Sequence, residues 1–152
     1  MKKNMYSKER MILVTMISLI LIPGVYALHI YNKFVADNPE VLNNFSFWGK
    51  KFLVLIPIMV VAIISIHIVF AIINKIITNE DIPAISDEMD KIIELKAIRI
   101  SRLAYSLCFI LAMGSQALSM EPWVMFLILI SSCFLGGIIE GIAKIYFYRK
   151  GV

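Results

Sequence analysis

Four long apolar segments constrain the fold of this chain more than any other feature. A helix of roughly 20 apolar residues spans the hydrocarbon core of a bilayer, and within lipid a single segment satisfies its backbone hydrogen bonds only as a helix. Because 60% of the residues are hydrophobic and the four segments take up most of the chain, few residues remain for a separate soluble core. We therefore expect one membrane domain over residues 1–152, with spans at about residues 11–31, 52–77, 103–118 and 123–147.

The first apolar segment has two interpretations. Basic residues precede it, and Val25-Tyr26-Ala27 resembles the small-residue site at which secretory signal peptides are cleaved. However, apolar character continues past Pro23-Gly24 to Ile30, which gives a segment long enough to span the bilayer. We favour a spanning helix with a kink at Pro23 over a cleaved signal.

The third apolar segment is short, and a charged segment comes directly before it. This segment, residues 86–102, reads S-D-E-M-D-K-I-I-E-L-K-A-I-R-I-S-R, with its acids first and its bases last. Ser86 can act as an N-cap, and Asp87 and Glu88 complement the positive end of the helix dipole. We therefore expect the third helix to begin at Ser86, outside the hydrocarbon core, and to run through residue 118.

The charged segment predicts which face of the third helix meets protein. At about 100° per residue, one stripe of polar and small side chains runs along it: Asp87, Asp90, Glu94, Ser101, Tyr105, Cys108, Ala112 and Ser115. We expect the acids of this stripe to face the basic ends of the first and fourth helices. Lys96, Arg99 and Arg102 project elsewhere, toward lipid phosphates or acids of neighbouring segments. The alternative is an ordinary helix start with solvated acids and snorkelling bases.

The distribution of basic residues predicts the orientation. With the N-terminus inside, twelve lysines and arginines fall in cytoplasmic segments and three, Lys33, Lys50 and Lys51, fall in outer loops. Cytoplasmic loops of membrane proteins carry the excess of Lys and Arg. The sequence therefore predicts an all-α, polytopic four-transmembrane-helix bundle in the plasma membrane, with its N-terminus and C-terminus in the cytoplasm.

The fourth span contains a carboxylate within its apolar run. A charge at the bilayer centre costs about 2.5–3.5 kcal/mol on insertion scales, so Glu140 needs a partner. One interpretation pairs it with Lys144 at i,i+4, beside a tightly packed seam formed by Gly136 and by the G-x-x-x-G spacing of Gly137 and Gly141. The other places Glu140 with Arg99, Arg102 or His67 in a polar core or proton site.

Catalytic, metal and nucleic-acid chemistry have no support in the sequence. His29 and His67 lie at different depths, and no zinc-ligand spacing, nucleophile elbow or phosphate-binding glycine loop is present. Cys108 and Cys133 both fall in apolar segments, where a cysteine usually acts as a small buried hydrophobe. We expect no enzyme activity, no metal, no cofactor and no nucleic-acid partner.

Residues 87–99, D-E-M-D-K-I-I-E-L-K-A-I-R, resemble a segment of a family of small prokaryotic integral membrane proteins described only as a domain of unknown function. Members carry a D-E-R-D-x-x-I-E-x-K-A-x-R-like segment before the third of four spans. Met89 stands here where an arginine is common. The resemblance implies a four-span fold and a location in the cell inner membrane, and no activity.

Two classes of function are compatible with these features. The first is a non-enzymatic interaction or accessory subunit whose charged segment docks lipid or another membrane protein. The second is a small transporter or channel, formed as a homodimer through the G-x-x-x-G face, with Glu140 and His67 lining the path. The outer halves of the second and fourth spans have almost no polar residues, which favours the first class.

Overall fold

The protein folds into four long α-helices joined by short connections. The computed structural model describes residues 2–78 and 88–151. The helices are α1 (Lys2–Ile30), α2 (Phe45–Thr78), α3 (Glu88–Ala117) and α4 (Pro122–Lys150), with a π-helical turn at Tyr31–Val35 and a 3₁₀ turn at Pro39–Asn43. All four are long and apolar enough to cross a membrane. The predicted all-α four-helix bundle of a multi-pass membrane protein is therefore confirmed, while the N-cap predicted at Ser86 lies outside the described residues.

The helix α4 lies at the centre of the arrangement. It packs against α3 along much of its length and against α1 on another side, and α2 packs mainly on α1. In the described parts of the chain, the α3 backbone does not approach α1 or α2. Only 6% to 11% of the most apolar window of each helix is buried within the chain. The remaining apolar surface is the surface that a bilayer would cover.

Small residues form the seam between α3 and α4. Ile93, Ala97, Ala112 and Ser115 are the buried residues of α3, and Ser101 Oγ donates a hydrogen bond of 2.9 Å to the carbonyl of Gly136. Such residues let two helix backbones approach closely. Close packing against α4 therefore supplies most of the backbone contacts of α3.

Two positions of the predicted stripe on α3 are exposed. The side chain of Glu94 is 58% exposed and Tyr105 is 44% exposed, whereas Ile93 and Ala97 are fully buried. The buried face of α3 is therefore centred on Ile93 and Ala97, although the Glu94 carboxylate still reaches Lys144 of α4. The expectation of a buried Cys133 is wrong, since that cysteine is exposed on α4.

Aromatic side chains connect the helices at the end of the bundle opposite the chain termini. The Trp48 and Phe126 rings stack with centroids 5.8 Å apart, and Phe45 meets Phe126 edge-on at 5.6 Å. The Lys51 ammonium lies 3.4 Å from the centroid of the Phe34 ring. These contacts join α2 to α4 and to the π-helical turn that follows α1. The same rings are the side chains that favour a membrane–water interface.

The turn after α3 contains a residue in the left-handed region. The Met120 N–H donates to the Ser115 carbonyl and the Ser119 N–H to the Gln116 carbonyl, both at 3.0 Å, which is the Schellman pattern of a helix C-terminus. Ser119 has φ 56° at the position where glycine is usual. The turn therefore keeps a side chain at a conformational cost.

Ser119→Gly should stabilise the protein by about 1 kcal/mol, because glycine adopts this conformation without the steric cost of a Cβ atom. The measurement is the midpoint of SDS-induced unfolding of the purified protein, followed by tryptophan fluorescence. Ser119→Ala is the control and should give no stabilisation, since alanine keeps the Cβ atom. Equal effects of the two substitutions would contradict this explanation.

Candidate functional site

A cluster of charged side chains gathers at the end of the bundle where α1 and α3 begin and α4 ends, here called the charged end. Asp90 of α3 is its centre. The Lys8 ammonium of α1 forms an ion pair with Asp90 Oδ2, and the Tyr148 hydroxyl of α4 donates to Oδ1 at 2.9 Å. The Asp90 side chain is only 14% exposed. One carboxylate of the charged segment therefore connects three helices, and it faces protein.

A second ion pair at the charged end connects the first and the fourth helix. Arg149 of α4 donates to both carboxylate oxygens of Glu9 of α1, at 3.2 and 3.3 Å. The Glu9 side chain is 9% exposed, while that of Arg149 is 68% exposed. A buried carboxylate held in this two-pronged way has a fixed position. The beginning and the end of the described chain are thereby held together.

Lys144 of α4 lies between two carboxylates. Its ammonium is 2.7 Å from Glu140 Oε1 at i,i+4 and 3.5 Å from Glu94 Oε1 of α3. The partner of Glu140 in the structure is therefore Lys144, which is the first of the two interpretations considered above. Asp87 lies outside the described residues, and Glu88 is exposed at the first turn of α3.

The G-x-x-x-G residues of α4 face α1 of the same chain. A Cβ atom added to Gly137 would lie 2.7 Å from Leu19 Cδ1, and one added to Gly141 would lie 2.6 Å from both Cγ and Sδ of Met16. Real Cβ atoms do not approach other atoms so closely. The spacing therefore serves helix packing inside one chain, and this face is already occupied by α1.

The hydrogen-bond partner of His67 is Thr15 of α1, and not Glu140. Its Nε2 lies 2.8 Å from Thr15 Oγ1 of α1, and the Thr15 hydroxyl donates to the Met11 carbonyl at 2.9 Å. A hydroxyl has one hydrogen to donate. His67 Nε2 must then be the donor to Thr15, so this histidine joins α2 to α1.

Thr15→Val should destabilise the protein by about 0.5–1.5 kcal/mol, because it leaves the His67 Nε2–H without its acceptor in an apolar setting. The same SDS unfolding midpoint measures the change. Thr15→Ser keeps the hydroxyl and should retain most of the stability. If Thr15→Ser lost as much as Thr15→Val, the methyl group and not the hydrogen bond would be responsible.

Most of the exposed charges on the charged segment are basic, although its acids Glu88 and Glu94 are exposed as well. Arg99 and Arg102 are exposed, as is Lys91. The Lys96 ammonium lies 5.7 Å from the centroid of the Phe147 ring of α4. The exposed surface of the charged segment therefore has an excess of positive charge, while Asp90 and Glu94 form ion pairs with lysines of the same chain.

Several members of the cluster were absent from the sequence-based set. Glu9, Tyr148, Arg149 and Thr15 were not candidates, although Glu9 is the lone acid of a basic N-terminal region and Thr15 is a polar residue within an apolar run. Those two features are the signals that could have found them. Tyrosine and arginine are common at the ends of membrane-spanning helices. The sequence therefore does not distinguish Tyr148 and Arg149 from ordinary interface residues.

The side chains of the charged end connect α1, α3 and α4 to one another. Within residues 8–77 and 88–151, no group of three His, Cys, Asp or Glu side chains is placed to hold a metal ion. No protein-family model, curated protein or solved structure matches this chain. The charged end and the faces of α3 are therefore what a functional proposal can use.

Proposed function

We propose that this chain is a non-enzymatic interaction or accessory subunit of a prokaryotic plasma membrane, and that it contacts another membrane protein through the outward face of α3. One observation carries the proposal: Asp90 pairs with a lysine of its own chain, while Lys91, Arg99 and Arg102 remain exposed. The exposed surface of the charged segment therefore has four bases against two acids, Glu88 and Glu94, an excess of positive charge that a helix start alone does not require.

The geometry of α3 defines the contact surface. Ala97 is fully buried against α4, and Arg99, two residues further along, is turned by about 200° from it. Leu95 and Leu103 lie one turn before and after Arg99 and are 68% and 64% exposed. The cationic face therefore continues into an apolar stripe along the same side of the helix.

Such a surface fits one kind of partner. A transmembrane helix with acidic residues at its cytoplasmic end would cover the leucines in the membrane and meet Arg99 and Arg102 at the interface. The orientation that this requires has the charged end in the cytoplasm. It is supported by the twelve to three distribution of basic residues, since α1 begins, α3 begins and α4 ends at the same end of the bundle. The resemblance of residues 87–99 to prokaryotic membrane proteins supports the location.

Photo-crosslinking in native membranes tests this proposal. A benzophenone amino acid at position 95 or 103 should give a discrete protein adduct, and Arg99→Glu with Arg102→Glu should reduce its yield at least fivefold. The matched charge reversal Lys33→Glu with Lys50→Glu, at the other end of the bundle, should leave the yield unchanged. Peptide mass spectrometry should then identify an acidic segment next to a membrane helix.

Three results would overturn the proposal. Adducts with lipid alone would assign the surface to the bilayer, adducts containing only peptides of this chain would assign it to self-association, and adducts insensitive to the arginine reversal would remove the charge argument. The mass of the adduct identifies the first two results, and the adduct yield in the Arg99→Glu, Arg102→Glu variant identifies the third.

The transporter or channel hypothesis has weaker support. Its two candidate residues have different partners, Lys144 for Glu140 and Thr15 for His67, and the G-x-x-x-G face proposed for its dimer is covered by α1. Ion flux in proteoliposomes that Glu140→Gln abolishes would favour this hypothesis over an interaction subunit.

A further inference from the structure

An apolar groove lies between α3 and α4. Its volume is about 290 Å³, and it is lined by Ile100, Ile139, Ile142, Ala143, Tyr146 and Phe147. Ile142 and Tyr146 are each 54% exposed, so the groove is open to the surroundings of the bundle. In a bilayer this opening would be occupied by an acyl chain.

Two lysines lie at the end of the groove nearer the charged end. Lys96 is one turn before Ile100, and its ammonium lies over the Phe147 ring. Lys150 is one turn after Tyr146, and its ammonium lies 5.5 Å from the centroid of that ring and donates to the Tyr146 hydroxyl at 3.3 Å. Both charges are thus held beside aromatic rings that line the groove.

Neither lysine is neutralised by a neighbouring acid. Among the described residues, no carboxylate forms an ion pair with Lys96 or Lys150. The nearby acids Asp90, Glu94 and Glu140 pair instead with Lys8 and Lys144. The groove therefore has an apolar floor at membrane depth and two uncompensated positive charges at one end. An anionic phospholipid has the complementary arrangement, with an apolar acyl chain and a negatively charged headgroup.

We propose that this groove is a binding site for an anionic phospholipid of the surrounding membrane. One acyl chain lies along Ile100, Ile139 and Ile142, and the phosphate lies between the ammonium groups of Lys96 and Lys150. The Tyr146 hydroxyl, at the same level, is a further donor to the headgroup. This site uses different residues from the outward face of α3, so it stands whether or not that face binds a protein.

Native mass spectrometry of the protein in detergent tests the site with two probes, phosphatidylglycerol and phosphatidylcholine of identical acyl chains. We expect phosphatidylglycerol to bind at least tenfold more tightly. Lys96→Gln with Lys150→Gln should remove that preference and leave phosphatidylcholine binding unchanged. Lys33→Gln with Lys50→Gln, which removes the same charge at the other end of the bundle, should retain the preference.

A second variant separates the groove from the charges. Ile142→Trp fills the groove from an exposed position, so it should fold normally and weaken the binding of both lipids at least threefold. Equal affinities of the two lipids for the wild-type protein would overturn the proposal. A preference for phosphatidylglycerol that persists in the double lysine variant would also overturn it, since the charge would then lie elsewhere.

Discussion

Gly141→Leu should lower the free energy of unfolding by about 1–3 kcal/mol, the usual cost of inserting atoms into a packed interior. Gly141 of α4 is buried where α4 packs against α1. Its added Cβ atom would meet Met16 Cγ and Sδ at 2.6 Å and Ile12 Cγ2 at 3.3 Å. Met16 would have to leave its rotamer, and Ile12 blocks the adjacent space, so α1 must move away from α4.

The measurement is the SDS unfolding midpoint, with Gly114 as the matched glycine. Gly114 lies inside α3, and a Cβ atom added there meets nothing within 4 Å. Gly114→Leu should therefore be neutral or stabilising by up to about 1 kcal/mol, because leucine has the higher helix propensity. A similar loss of stability in both variants would show that the effect is not specific to the α1–α4 contact.

Separation of α1 from α4 has a consequence at the charged end. Glu9 of α1 and Arg149 of α4 form their ion pair three turns or less from this contact. Gly141→Leu should therefore also weaken that pair. In a double-mutant cycle, the coupling free energy between Glu9→Gln and Arg149→Gln should be smaller in the Gly141→Leu background than in the wild-type background.

The four spans could be predicted from sequence because the bilayer imposes a length and a polarity on each helix separately. Which helices contact one another depends instead on how well the side-chain surfaces of two helices fit together. The spacing of Gly137 and Gly141 predicts a close contact but does not say whether its partner is α1 or a second molecule. The contact with Leu19 and Met16 answers that question.

The candidate site shows the same division. A carboxylate within an apolar run demands a partner, and Lys144 is four residues away from Glu140, so that pair follows from helical periodicity. The partners of Asp90 are 82 and 58 residues away in sequence. No periodicity connects residues on different helices, and Tyr148 at a membrane interface is compatible with several roles. Pairing between helices therefore had to come from the structure.

Asp90→Asn should lower the free energy of unfolding by about 1–3 kcal/mol, because it removes the charge that Lys8 pairs with while the ammonium stays at a partly buried site. The substituted side chain has the same shape and can still accept from the Tyr148 hydroxyl, so the change isolates the ion pair. Glu94→Gln, one turn away, is the matched control. Its side chain is 58% exposed and 3.5 Å from Lys144, so its effect should stay within about 0.5 kcal/mol.

A double-mutant cycle decides whether the Asp90 effect is the ion pair itself. Lys8→Met with Asp90→Asn should cost less than the sum of the two single substitutions, with a coupling free energy of about 1 kcal/mol, because the second substitution acts on a pair that is already broken. Additive effects would show that the two side chains do not interact. The loss in Asp90→Asn would then have a cause other than the ion pair with Lys8. With the coupling present, the inward direction of the acid is a requirement of the fold, and the cations on the outward face of α3 are the part of the charged segment free to act on other molecules.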